Sequence, residues 1–510
     1  MIRAAGLLIA FATIGLVGCR ALPARVAPVE AAAPVAKYGS LADFGARVEA
    51  MLANGESAHW LLDRNELALR ARLALADEAA VSLDVQYFVW QSDASGHLLA
   101  DRMLHAADRG VSIRILVDDF GVSGKGGDVL KLDAHPNIEV RTFNPWSTRG
   151  NRLGTSTEFL ARARVLNRRM HNKTFIADGQ FAVLGGRNIG DRYFGLYDRF
   201  VQDDLDVMVA GPAAHDVEAT FDEFWNSEHS FLISTFQYDN RPRNPLMTTR
   251  EEMHASIESS RATLATFPLE PADWSAYLEE LVATFAPARS GLLWESPDIL
   301  DESRPRLYDD YKKLVASARS ELLISSPYFI PDPEFLALLR ELVGRGVRVV
   351  IVTNSLATNN HVVAHTGYRR LRREVLAAGV ELYELRQDAE ALSLYVTPPA
   401  MPTRLGLHTK AVVVDRERAF VGSPNIDPRS MILNTELGVV GDGPVFAERV
   451  AALIERDMSP ANSWRVTMDE EGWLLWTNGD EAVRRQPAQG FRQRLEEFLL
   501  NLLPMIKDQA

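Results

Sequence analysis

The chain has 510 residues, a formal net charge of −13 and an apolar fraction of 47%. That length and apolar content suit two domains or one large duplicated domain. The acidic balance argues against nonspecific nucleic-acid binding, and the single cysteine excludes an intramolecular disulfide, so the core stands on packing alone.

Residues 1–19, MIRAAGLLIAFATIGLVGC, carry Arg3 and then an apolar run over 4–17 that is too short for an ordinary spanning helix. The run closes on Leu16-Val17-Gly18-Cys19, which resembles a bacterial lipobox with the only cysteine at the modified position. The expectation is a lipoprotein signal peptide and a mature chain acylated at Cys19, held by several acyl chains where one would be marginal. The alternative is a plain signal peptide or anchor with an incidental cysteine. Arg20 in the sorting position favours the outer membrane. The Ala/Pro/Val-rich residues 20–40 read as a tether, and 20–64 as tether and lead-in. No later run is long enough to span a membrane.

A first unit is expected over 65–230. ELALRARLALADEA has helical period, VSLDVQYFVW reads as a strand, a helix follows over 98–108, and GVSIRILVDD is again a strand. A linking region covers 231–305. The plan returns over 306–460 as RLYDDYKKLVASA, ELLISSPYFI, PEFLALLRELVGR and GVRVVIVTN. Tyr87-Phe88 echoes Tyr328-Phe329, and Arg109-Gly110-Val111 echoes Arg345-Gly346-Val347. Phe88 and Phe329 read as core. Alternating helices and apolar strands imply an α/β fold of mixed sheets flanked by helices, with two copies related by a pseudo-twofold axis. In the C-terminal extension 461–510, FRQRLEEFLLNLLP has apolar residues at helical spacing. It reads as a helix docked on the core, with bilayer contact as the alternative.

The repeat is sharpest at HNKTFIADGQFAVLGGRN (171–188) and HTKAVVVDRERAFVGSPN (408–425). His171, Lys173 and Asp178 are matched by His408, Lys410 and Asp415; 408 − 171, 410 − 173, 415 − 178 and 425 − 188 are all 237. Residues two apart on a strand share a face, so each His–Lys pair can meet one ligand. The glycines after the second strand let backbone approach a ligand closely. Asn188 and Asn425 then offer amides, with Ser423 beside the second. Two His–Lys pairs and two asparagines make a cationic, donor-rich pocket suited to a phosphoryl group. Eight cations over 141–173 face a single acid, Glu158, and read either as a rim that attracts anionic head groups or as a solvated loop. The segment 384–408 before the second motif is a candidate to shape a lipid mouth.

The duplicated HxKxxxxD motif resembles the phospholipase D superfamily over most of residues 70–460. Within it, 168–194 and 84–99 look most like bacterial cardiolipin synthases of the C type. The resemblance implies that an acid after each motif hydrogen-bonds the back of a catalytic histidine. DDLDVMVAG (203–211) and TELGVVGDG (435–443) supply Asp204 and Glu436 as candidates. It also implies that His171 is the nucleophile and His408 the acid/base, a symmetry the residues themselves do not break. Asp178 and Asp415 read as supports of the catalytic set rather than acid–base groups. Neither a metal nor another cofactor is called for, because lysines and asparagines can carry the developing charge.

The expected reaction is phosphatidyl transfer between phospholipids to make cardiolipin through a phosphatidyl-histidine. The substrates would be phosphatidylglycerol, with phosphatidylethanolamine as a further donor, at a bacterial membrane on the periplasmic side. Hydrolysis of phosphodiesters, as a phospholipase D or a nuclease, uses the same motif. A reading of another class is a membrane-tethered phospholipid-binding protein without turnover. No nucleic acid is expected as a partner, and no protein partner is identifiable.

Overall fold

The computed structural model describes residues 22–23, 35–122, 127–148, 152–236, 245–301, 306–479 and 481–501. The signal-peptide segment, Cys19 and most of the tether lie outside the described residues.

The alternation of helices and buried strands is built twice. In the first unit, the strands Ser82–Tyr87, Ser112–Asp118 and Ile138–Phe143 lie parallel, separated by the helix Ala94–Asp108 and a short helical segment. Ser82–Tyr87 is buried along its whole length, as a parallel strand covered on both faces must be. Thr174–Ala177, Phe181–Gly185 and Asp206–Ala210 then add antiparallel strands on the other side. The second unit repeats this with Glu321–Ser325, Arg348–Asn354 and Glu381–Leu385 in parallel, followed by antiparallel Ala411–Val414, Arg418–Gly422 and Leu437–Asp442.

The two mixed sheets are one. Glu56–Leu62, from the lead-in, pairs with Asp206–Ala210 on one side and with Ala286–Trp294, from the linking region, on the other. Ala286–Trp294 in turn pairs with Leu437–Asp442, giving a continuous 18-stranded sheet. The seam is therefore made by segments outside the two units. Around it one core takes residues from both halves, including Leu184, Val207, Val209, Val421, Leu437 and Val439. The helices Pro212–Trp225 and Pro444–Met458 supply Phe221, Phe224, Phe446 and Val450 to it.

The repeat has a register that the aromatic echo misplaces. Trp90 bridges to Ile189 and Phe329 bridges to Ile426, so Trp90 corresponds to Phe329, and Tyr87-Phe88 is shifted by two from Tyr328-Phe329. Phe329 is core as expected, but Phe88 is only half-buried and stands in the functional site. The Arg-Gly-Val echo has a plain cause. Arg109 donates to the carbonyls of Asp77 and Ala79, and Arg345 to those of Ala316 and Ala318, closing off the preceding helix in each unit.

Two further segments take definite places. The segment 384–408 before the second motif packs across the two halves. Its strand Leu405–Leu407 runs parallel to Val201–Asp203, Thr397 donates to Phe194 O, and Asn65 donates to Tyr395 O, so it clamps the two halves together. The C-terminal helix Phe491–Asn501 does not dock by its apolar side: its buried residues are Gln493 and Glu497. No described helix is long and apolar enough to cross a membrane.

Candidate active site

Each histidine stands just ahead of its buried strand, and each is delivered by a crossing of the two halves. Around His171, the backbone of 169–171 pairs with Thr435: His171 N donates to Thr435 O, and Thr435 N to Arg169 O, both at 2.9 Å. Around His408, the backbone pairs with Asp203, whose carbonyl accepts from His408 N and Thr409 N. The residue after each crossing is an acid, and it serves the other half's histidine. His171 Nδ1 is 2.8 Å from Glu436 Oε2, and His408 Nδ1 makes a short hydrogen bond to Asp204 Oδ2. The order Asp204, Glu436 along the chain is thus exchanged in space, which the linear alignment of the two acids does not reveal.

The motif glycines serve this exchange rather than a ligand. A Cβ at Gly186 would run into the Asp204 carboxylate, and one at Gly185 would sit 2.6 Å from Asp206 Cα. The glycine pair makes room for the acid-bearing strand. In the second half the place of Gly186 is taken by Ser423, expected to bind phosphate. Its hydroxyl instead donates to Glu436 Oε2 at 2.5 Å and accepts from Leu437 N at 3.0 Å. Ser423 thus fixes Glu436.

The lysines lie under the histidines, each donating Nζ to the carbonyl of its own motif histidine. Both are fully enclosed; burial lowers Lys173 to about 7 and Lys410 to about 8. Burial also lowers His171 to about 4, with Glu436 opposing and Lys173 and Lys410 adding to the fall. His408 is driven well below its ordinary value by burial, then Lys410, Lys173 and His171. Each group acts electrostatically on the others, so both motifs converge on one pocket. Burial alone would raise Glu436, but His171, Lys173 and Ser423 outweigh it and hold the carboxyl low; burial wins at Asp204 and raises it against Lys410 and Arg187.

Asn188 and Asn425 flank the pocket in register. Asn188 Oδ1 accepts from Val89 N at 3.0 Å and its Nδ2 donates to Tyr193 Oη at 3.2 Å. Asn425 Nδ2 reaches Ser430 Oγ at 3.4 Å, and its Oδ1 has no partner among the described residues. Asp178 and Asp415 face away from the chemistry. Asp178 accepts from the amides of Ala80, Val81 and Ser82, and Asp415 from those of Arg319, Ser320 and Glu321. Each sits at positive φ, 55° and 54°, and ties the start of the first parallel strand to the turn between the motif strands. Both carboxylates are thus engaged by backbone amides.

The basic stretch is largely interior. Arg141 lies under Trp225 at 4.2 Å, and Arg169 forks onto Asp118, whose other oxygen takes Met170 N and so sets the approach to His171. Glu158 accepts from Ser147 N, Thr148 N and Arg162. Arg149 lies outside the described residues. Arg168 and Lys173 are buried as well, Arg162 is half-buried and Arg164 is exposed, and the side chain of Arg152 also lies outside the described residues.

Several site residues escape the sequence reading. Phe88 packs edge-on against His171 at 5.0 Å and stacks on exposed Phe120. Tyr193 packs edge-on against His408 at 5.6 Å. Tyr328 donates to Asn360 and packs on His361, which itself bears on His408. Asp427 is raised to about 6 by burial and receives Ser430 N at 2.8 Å. The available signal was the offset of 237 carried a few residues further, which pairs Tyr193 with Ser430 and Arg192 with Arg429. Among the described residues, Glu228, His229 and Asp298 bring ligand-type atoms within 4.8 Å of one another, but none of them belongs to either motif.

The chain matches a family model described as "Cardiolipin synthase, PLD-like domain" over residues 73–225 and 311–458. It is 35% identical over 474 residues to cardiolipin synthase C of Escherichia coli K12, covering 88% of this chain and 96% of that protein. It is 26% identical over 411 residues to cardiolipin synthase A of Pseudomonas entomophila, covering 80% of this chain and 70% of that one. Among solved structures, phosphatidylserine synthase from Haemophilus influenzae has a similar fold, with a TM-score of 0.52 and 14% identity over 81% of this chain and 89% of that one. Both copies of the unit fall within one family, and the chain belongs to the PLD-like cardiolipin synthase family of the phospholipase D superfamily, as an enzyme of the phosphatidyltransferase type.

Proposed function

We propose that the enzyme makes cardiolipin, taking a phosphatidyl group from one phospholipid and passing it to the glycerol hydroxyl of phosphatidylglycerol. The observation that carries this is the exchanged pairing of each histidine with the other half's carboxylate over two buried lysines. With Nδ1 held by a carboxylate, Nε2 is the nitrogen left for substrate. His171 Nε2 attacks phosphorus in line; the N–P bond forms as the P–O bond to the leaving alcohol breaks, and His408 gives that oxygen its proton. The acceptor hydroxyl then loses its proton to His408, its oxygen bonds phosphorus, and the N–P bond breaks. Lys173, Lys410, Asn188 and Asn425 hold the non-bridging oxygens.

The assignment of His171 as nucleophile is supported by Glu436, whose carboxyl is held low behind it, while the carboxyl of Asp204 behind His408 is raised by burial. A bound phosphodiester anion offsets the mutual repulsion of the lysines and histidines, so substrate itself loads the proton onto His408. Transfer rather than hydrolysis needs water excluded and the alcohol oriented, and Phe88, Tyr193 and Tyr328 supply an aromatic wall for that. Acylation at Cys19 would hold the enzyme on the periplasmic side of a bacterial membrane, the outer one by the Arg20 rule; unmodified Cys19 on the mature chain would remove that anchor.

The test uses labelled phosphatidylglycerol, with and without phosphatidylethanolamine. Cardiolipin is the expected product; phosphatidic acid alone would make the enzyme a hydrolase, and binding without product would make it a lipid-binding protein. A phosphorothioate lipid of known configuration adds the mechanism. Two in-line displacements give retention at phosphorus, and net inversion would remove the covalent intermediate.

A further inference from the structure

The C-terminal helix Phe491–Asn501 is mounted inside out. Its inward face is polar: Gln493 donates to Leu356 O at 2.6 Å, Glu497 takes Arg369 at 2.9 Å, and Asn501 takes Arg370 at 3.0 Å. Its outward face is apolar. Phe491, Leu495, Phe498 and Leu499 are 77%, 44%, 56% and 53% exposed. At 100° per residue these four fall within a single stripe about 100° wide. Arg492 borders the stripe on one side and Arg494 on the other, with Arg485 close enough to Arg494 to lower it further after burial. Glu496 is the single exposed acid of the helix.

A water-facing helix would be expected to show the opposite arrangement, because burying Gln493 and Glu497 while exposing four large apolar side chains forgoes the hydrophobic contribution. An apolar stripe with arginines on both borders matches the interface of an anionic bilayer, where acyl chains take the stripe and head-group phosphates take the guanidinium groups. At eleven residues the helix is too short to cross. Its N-terminal end also opens toward the chemistry. A groove of about 530 Å³ is lined by Gln489, Arg492, Gln493, Phe200, Arg404 and Asn360. Asn360 holds Tyr328, which packs on His361 next to His408.

We propose that this helix lies flat in the surface of an anionic phospholipid bilayer as a membrane contact separate from the N-terminal anchor, and that the adjoining groove leads lipid head groups from the bilayer to His408. The inference rests on the phospholipid-substrate reading above. The test is carried out in the full chain with Cys19→Ser, which removes the only native thiol. Leu499→Cys then carries an environment-sensitive fluorophore, and Arg340→Cys on the exposed face of another helix serves as control. Vesicles containing phosphatidylglycerol should shift the Leu499→Cys probe to the blue and allow quenching by lipids spin-labelled in their tails, whereas phosphatidylcholine vesicles do so weakly and the control does not respond. Leu495→Glu with Phe498→Glu should lower vesicle binding and turnover of vesicle-borne lipid at least roughly tenfold and leave turnover of detergent-dispersed phosphatidylglycerol unchanged. A silent Leu499→Cys probe in an enzyme active on dispersed lipid overturns the proposal. A blue shift that grows with protein concentration without vesicles also overturns it, and assigns the stripe to a second copy of the chain. A vesicle-dependent shift in a protein that makes no lipid product keeps the membrane contact and defeats the functional reading alone.

Discussion

The two catalytic corners are copies, but they are not equally braced. At the His171 corner, Glu436 is pinned by the Ser423 hydroxyl and stays anionic. At the His408 corner, the position of Ser423 is Gly186, Asp204 takes Leu205 N instead, and burial raises its carboxyl. A second difference lies two residues past the asparagines, where Gly190 in one half faces Asp427 in the other. Duplication supplies two of every group; small departures from it leave one imidazole backed by a carboxyl held low and the other by a carboxyl that burial raises. On the proposed mechanism, this difference is what would divide nucleophile from acid in a symmetric pocket.

Removing either imidazole should have the largest effect. His171→Ala and His408→Ala are each expected to reduce turnover by about 10⁴-fold or more with the fold intact, measured by product formation alongside thermal unfolding. A lipid adduct trapped by rapid quenching should be absent from His171→Ala and labile to acid, as an N–P bond is, and a label found on His408 in the native enzyme would reverse the division of roles. Next come the carboxylates. Glu436→Gln and Asp204→Asn should each lower kcat by about 10³–10⁴-fold, since an amide leaves the imidazole in the wrong tautomer. With a donor whose alcohol leaves without a proton, Asp204→Asn should recover adduct formation and Glu436→Gln should not.

The lysines give a pH signature. Lys173 and Lys410 are lowered to about 7 and 8, so they are charged below those values and lose charge as pH rises through them. kcat/KM for lipid should therefore fall from about pH 7 upward through a rise in KM, with kcat less affected because bound phosphate keeps the ammonium groups charged. A kcat/KM that stays flat to pH 10 would contradict the shifts. Ser423→Ala should be milder, about tenfold in turnover for one lost hydrogen bond to a charged group. The smallest effect on chemistry belongs to the motif aspartates. Asp178→Ala is expected to cost about 2–4 kcal/mol of stability, because it strips one buried and two half-buried amides of their acceptor, and Asp415→Ala less, since that turn is nearer solvent; chemical denaturation reads both.

Much of this architecture was legible in the residues. Period-two and period-3.6 patterns place the parallel strands and helices, and the constant offset of 237 places every motif residue. What stayed hidden is what depends on closure between the halves. Asp204 and Glu436 align as equivalents, yet nothing local says that each serves the opposite histidine. Glu56–Leu62 and Ala286–Trp294 are counterparts, each edging its own half beside Asp206–Ala210 or Leu437–Asp442, but neither carries a motif, and their pairing with each other at the seam is decided at long range. Ser423 reads as a ligand group until its carboxylate partner is in place. The helix Phe491–Asn501 has an amphipathic period that fixes its faces but not which of them turns inward.

The exchange of carboxylates also imposes a timetable on synthesis. His171 leaves the ribosome 265 residues ahead of Glu436, and the seam strand Ala286–Trp294 comes between them. The first unit can pair its own strands as it emerges. Its histidine, however, remains without the carboxylate that orients it until the second unit has folded onto the same sheet. A truncated or half-made chain therefore lacks a complete histidine–carboxylate pair at either corner, and both pairs form only when the two halves meet.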